Sequence, residues 1–194
     1  MPRRPISEFH GQQGRRKVVV TVIYLMLSAA TFWVAFATAD ELASLTLLIP
    51  LLVANIYLGY RSVLVNDNLS ATSSGMVLLA GGVSAALSGG SAVLVCALLA
   101  ASSAIQEVDV RERRIQEPIW NLGQLAVSGA AVGLTVQLGM EYFGTSAWAV
   151  IASAALASAV HVAVNLGQVY LAVRYIYSRS IPNLWSGMAT LIPS

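Results

Sequence analysis

The chain has 194 residues, of which 57% are hydrophobic and only 10% charged, with a mean hydropathy of +0.71. A soluble domain carries about 25% charged residues, so this chain cannot cover its surface with charge, and the solvent it is built for is lipid. A formal net charge of +2 is too small to suggest a nucleic-acid partner, and none is expected. The single cysteine, Cys96, excludes a disulfide framework or a thiolate metal site.

Residues 1–17, "MPRRPISEFHGQQGRRK", read as a mobile basic tail on the cytoplasmic side, either a topogenic signal alone or a contact for anionic headgroups. Six apolar runs follow and predict an all-α integral membrane bundle over residues 18–177. They are Val18–Ala39, Ala43–Tyr60, Leu69–Leu87, Ser91–Ile105, Ile119–Gly139 and Ala147–Tyr177. The first run has the basic start of a signal peptide, and "FATADE" resembles a cleavage site. Its apolar part is longer than a signal core, which favours an uncleaved anchor. The second carries Pro50, which removes one backbone donor, and Asn55.

Between the fourth and fifth runs lies "QEVDVRERRIQEP", the one charge-dense piece. Glu107–Arg111 and Asp109–Arg113 are spaced i,i+4, acid first, which predicts a short salt-bridged helix. Arg111, Arg113 and Arg114 there form either a solvated connector or a docking loop for a cytoplasmic partner. Residues 178–194, "SIPNLWSGMATLIPS" included, are too short to span and read as a cytoplasmic or interfacial tail.

Charge orients the six spans. With the N-terminus in the cytoplasm, all 11 Lys and Arg fall inside, and the outer loops hold only Asp40, Glu41 and Glu141. This predicts a multi-pass protein of the inner (plasma) membrane with both termini cytoplasmic.

Small residues recur every four positions at Ala155, Ala159, Ala163 and Gly167, and Gly129 and Gly133 make a GxxxG pair. Such stripes let backbones approach closely in lipid, inside one bundle or across a homo-oligomer. Polar residues also share faces: Asn121, Gln124, Ser128 and Thr135 on the fifth run, Ser158, His161, Asn165 and Gln168 on the sixth. The tetrapeptide Asn-Leu-Gly-Gln occurs on both, at Asn121–Gln124 and at Asn165–Gln168. The cluster Asn121, Gln124, Ser128, His161, Asn165, Gln168 has two readings. It is a hydrogen-bonded zipper, in which each bond contributes about 0.6 kcal/mol, or it lines a cavity for a small polar ligand or a proton. His161 has no carboxylate or second histidine within reach by sequence, so no metal site is expected, nor any cofactor. Paired carboxylates and a Ser–His–Asp set at one depth are both lacking, and "SGGSA" has no phosphate-loop lysine. The expectation is a protein that is not an enzyme.

The order "NLSATSSGMVLLAGGVSAALSGGSAVLVCALLAASSAI", a basic loop, "WNLGQLAVSG", then "HVAVNLGQVYLAV" and "IPNLW" is similar to the multi-span membrane region that opens some bacterial HD-GYP-type phosphohydrolases and diguanylate cyclases. Asn121 and Gln124 match that region's Asn–x–x–Gln helix. The resemblance covers about residues 43–190, and no HD or GGDEF domain follows. It implies a sensory input, anchor or scaffold module with a cytoplasmic signalling partner. A second resemblance is to the substrate-binding subunits of energy-coupling-factor vitamin transporters, also six-span proteins of this size. It implies a small-molecule site among Asn121, Gln124, His161 and Asn165, and a transporter partner.

Overall fold

The computed structural model describes residues 6–39, 45–61, 63–66, 69–71, 74–113 and 115–177. Among these residues seven helices follow in chain order: α1 (Ile6–Ala37), α2 (Leu45–Tyr60), α3 (Ser74–Leu87), α4 (Ala92–Ser102), α5 (Glu107–Arg111), α6 (Gln116–Phe143) and α7 (Ala147–Tyr177). Apart from a two-stranded antiparallel ribbon, β1 (Val63–Asn66) with β2 (Leu69–Ala71), the described structure is helical. Among the described residues, three helices are long and apolar enough to cross a membrane: Gly14–Ala37, Gln116–Phe143 and Ala147–Ile176. Thr46–Tyr60, Ser74–Leu87 and Ala92–Ser102 are apolar but shorter.

Two local expectations are corrected. The stretch read as a mobile tail is helical from Ile6 onward, continuous with the apolar part of α1. Once an apolar helix exists, polar residues extend it without a new nucleation cost. Residues 69–71 belong to the ribbon and not to the third span, with Val63 opposite Ala71 and Leu64 opposite Ser70. The Asn66-Asp67-Asn68 run supplies turn-forming residue types at that point.

Helix α4 is the centre of the packing. Leu94, Val95, Cys96, Ala97, Leu99 and Ala100 are all buried, together with Leu78 and Ala85 of α3, Val132 and Val136 of α6, and Ala157 of α7. Gly129 and Gly133 allow this closeness. A Cβ on Gly133 would strike the Ala92 carbonyl and the Val93 Cα, and one on Gly129 would strike the Cys96 carbonyl. The GxxxG pair therefore packs α6 on α4 within one chain, and any larger residue must push two backbones apart.

Among the described residues, the stripe of Ala155, Ala159, Ala163 and Gly167 is left unpacked. All four are exposed, and nothing lies within 4 Å of where a Gly167 Cβ would stand. Helix α7 buries Ala149, Ser153, Ala157 and Ile176 instead. Spacing alone puts both sets on faces of one helix, and only the neighbouring helices choose between them.

Contacts fix the helix directions. Asn55 of α2 reaches Leu99 of α4, and Gly59 lies against Ser103, so α2 and α4 run parallel. Helix α3 lies beside α4, with Cys96 at Leu78 and Gly82 and Leu99 at Gly81, and the short turn between Leu87 and Ala92 sets the two antiparallel. Gly133 at Ala92 and Gly129 at Ala100 set α6 antiparallel to α4 as well. Trp120 at Thr21 and Gly123 at Tyr24 align α1 with α6. Tyr24 at Gln168 and Arg16 at Tyr175 set α7 against α1. The six longer helices thus alternate in direction. Arg15, Arg16, Lys17, Arg61, Arg111, Arg113 and Arg174 gather at one end of the bundle, the basic end.

That end is tied by polar contacts. An Arg16 guanidinium N–H donates to the Tyr175 carbonyl at 3.1 Å, and its Cζ lies 5.8 Å from the Tyr175 ring centroid. Arg61 pairs with Glu107 at 3.2 Å, both half-exposed, a pair that contributes at most about 1 kcal/mol. The expected Glu107–Arg111 pair of α5 gives way to a tertiary one. Glu107 turns to Arg61, and Asp109 is buried, its carboxylate accepting from the Gln106 N–H at 3.0 Å. A five-residue helix has too few turns to hold side chains at i,i+4 against a tertiary partner and a cap.

Candidate functional site

The polar faces of α6 and α7 do meet. Gln124 Nε2 donates to Asn165 Oδ1, and lies 3.4 Å from the Asn165 carbonyl. Gln168 Nε2 donates back to the Gln124 carbonyl at 3.3 Å. The two amide-bearing tetrapeptides are thus antiparallel partners at one level, as two helices of opposite direction allow. One turn further along, Ser128 Oγ is 2.7 Å from His161 Nδ1 and 3.4 Å from the His161 carbonyl. Ser128 is fully buried, whereas Gln124, His161, Asn165 and Gln168 are half-buried. Gln168 Oε1 is buried without a partner among the described residues.

Asn121 departs from this group. Its Nδ2 donates to the Ala104 carbonyl at 3.2 Å, beyond the end of α4. Thr135 and Ser158, which share the same faces by periodicity, bond back to their own helices at Ala131 and Ala154. The six-residue cluster therefore splits into an α6–α7 seam of five residues and one amide that serves α4.

Sequence reasoning missed two parts of the polar framework. The first is the α1 side of the seam. The Tyr24 hydroxyl donates to the Gln168 carbonyl at 3.2 Å, and Trp120 Nε1 donates to Thr21 Oγ1 at 2.7 Å. A tyrosine and a threonine in the first apolar run are the only signal, and neither is unusual there. The second is the end of α4. That helix has 11 residues, about 17 Å, so its last carbonyls lie among apolar neighbours and need donors. Asn55, 0% exposed, sends Nδ2 to the Leu99 carbonyl and to Ser102 Oγ at 3.2 Å. The Ser102 and Ser103 hydroxyls donate to the Leu99 and Ala100 carbonyls at 2.7 and 2.8 Å. With Asn121 at Ala104, amides from two other helices close the terminus. An asparagine within the apolar run of α2 was the available signal; its target was not readable.

Of the docking-loop arginines, Arg111 and Arg113 are exposed, Arg113 with a left-handed φ of 54°, and Arg114 lies outside the described residues. Among the described residues no group of three or more His, Cys, Asp or Glu gathers as metal ligands would. The seam can exchange hydrogen bonds across two helices, and His161 is its one ionisable member. No protein-family model, no curated protein and no solved structure matches the chain.

Proposed function

We propose that the chain is a non-enzymatic, six-pass module of the inner membrane, its basic end and both termini in the cytoplasm, acting as a sensory input, anchor or scaffold for a partner. The observation that carries this reading is the reciprocal bonding of Gln124, Asn165 and Gln168, with Ser128 on His161 beside it. Polar side chains in lipid that are spent on one another fix helix positions, and a module that transmits or anchors needs fixed helices. The alternating helix directions and the gathering of the described Lys and Arg at one end support the orientation. The exposed Arg111 and Arg113 beside that end suit a cytoplasmic partner.

The alternative is a substrate-binding subunit of a transporter for a vitamin-like small molecule. One observation favours it: the buried Gln168 Oε1 awaits a donor, which a ligand can supply.

Thermal unfolding of the purified protein against a panel of water-soluble vitamins separates the two. The module reading expects no shift. A ligand present at 100 times its Kd stabilises by about 2.7 kcal/mol. A stabilisation of that order that Gln124→Leu or His161→Phe removes would replace the module reading with the transport one.

A further inference from the structure

The helices of the bundle differ widely in length. Helices α6 and α7 have 28 and 31 residues, about 42 and 46 Å. Helices α2, α3 and α4 have 16, 14 and 11, about 24, 21 and 17 Å, against a hydrocarbon core of about 30 Å.

Their registers show where the short helices stop. Gly133 sits at the Ala92 end of α4. From there α6 continues to Tyr142, about 13 Å further along its axis. The α3–α4 turn at Ser88–Ser91 therefore lies on the order of 10 Å below the α6–α7 tip. The tip and the turn also differ in chemistry. Tyr142, Phe143 and Trp148 are 81%, 68% and 80% exposed, with Leu138 and Ile151 exposed below them. Trp120 and Tyr142 on α6, and Tyr170 and Trp148 on α7, stand about 33 Å apart along each helix, the spacing of two interfacial aromatic belts. At the α3–α4 turn, Ser88 and Gly89 are exposed. The N–H groups of Ser88, Gly89 and Gly90 bond back to α3, but an irregular turn facing lipid would still hold its remaining carbonyls in hydrocarbon without water.

Both ends are satisfied together only if the water boundary is not level. We propose that the bilayer is locally thinned against α2 and α3, so that the outer surface slopes down from the α6–α7 tip to the α3–α4 turn. The partner of the exposed α2–α3 face, with Leu47, Ile49, Val53 and Met76, is a patch of compressed lipid. Tilting cannot remove the mismatch, because long and short helices are packed in one bundle. A thinner bilayer on one side of a protein meets such a mismatch at a modest cost per ångström. The inference rests on the six-pass orientation proposed above.

The test uses the full chain in phospholipid vesicles, in a Cys96→Ala background, with an environment-sensitive fluorophore on a single cysteine at Ser88 or at Trp148. Both positions are exposed, so the label disturbs no packing. The expected result is joint. Aqueous iodide quenches the Ser88 label severalfold more than lipids brominated deep in the acyl chain do. Lipids brominated near the headgroup quench the Trp148 label severalfold more than iodide does. A Ser88 label sealed from iodide overturns the proposal, because the turn then lies in hydrocarbon. A Trp148 label that brominated lipid does not touch also overturns it, because the tip then stands in water above a flat bilayer. Failure of the orientation looks different: an impermeant thiol reagent would then reach Ser88→Cys only from the cytoplasmic side.

Discussion

The seam between α6 and α7 makes an asymmetric prediction. Gln124 Nε2 faces two acceptors, the Asn165 side chain and the Asn165 carbonyl. Gln124→Leu removes the donor to both. Asn165→Leu removes one acceptor and leaves the carbonyl at 3.4 Å. Bonds between membrane helices contribute about 0.6 kcal/mol on average and up to about 1.7, and a buried polar group left alone costs about 1–3 kcal/mol. Gln124→Leu should therefore cost about 1–2 kcal/mol and Asn165→Leu about 1 kcal/mol. The double variant should cost less than the sum, with a coupling of about 0.6–1.7 kcal/mol. Cys96 provides the assay. It is the one cysteine and is 0% exposed, so a maleimide dye that fluoresces on reacting with a thiol reports unfolding directly. A kilocalorie corresponds to about 2–4 °C in a domain of this size. The control is Gln168→Leu. Its amide reaches only the backbone carbonyl of Gln124, so it should couple weakly to Gln124→Leu. Zero coupling for Gln124 with Asn165, or an equal coupling for Gln124 with Gln168, would refute the pairing.

Gly133→Leu should destabilise by about 1–3 kcal/mol or more, since any side chain there meets the backbone of Ala92 and Val93. Ala159→Leu, on the exposed face of α7, should stay within about 0.5 kcal/mol; the same dye assay compares the two, and equal losses would contradict the packing. Asn55→Leu should cost about 1–3 kcal/mol by stripping a donor from the end of α4. Its loss should appear in hydrogen exchange as earlier opening of residues 99–104, and unchanged protection there would count against the capping role. His161→Phe should be mild, because the Ser128 hydroxyl retains the carbonyl of residue 161 at 3.4 Å; a loss as large as that of Gly133→Leu would show that the imidazole holds more than this serine.

Much of the local structure was legible in residue order. The apolar runs located the six longer helices to within a few residues at most ends, because backbone groups in lipid must be bonded within the segment. Periodicity placed Gln124 and Ser128 on one face and His161, Asn165 and Gln168 on another. The repeated tetrapeptide Asn-Leu-Gly-Gln marked the two segments whose Gln124, Asn165 and Gln168 bond to one another. The individual partners were not legible. Gln124 finds Asn165 and not the side chain of Gln168, Asn121 leaves the seam for Ala104, and Asp109 caps its own helix. Each of these is chosen at the scale of an ångström or two by how helices rotate and slide, which no spacing rule encodes.

Composition alone determined that the chain is mostly apolar helix, because solvation of charge and backbone acts on each segment separately. Only the tertiary structure decided which apolar faces are interior. Gly129 and Gly133 are packed, and Ala155, Ala159, Ala163 and Gly167 are not, although both stripes carry the same signature. In water, burial and hydrophobicity coincide, and sequence pattern reveals the core. A lipid-facing surface and a helix-facing surface are equally apolar, so hydropathy no longer separates them, and the choice passes to the steric fit of one helix on another.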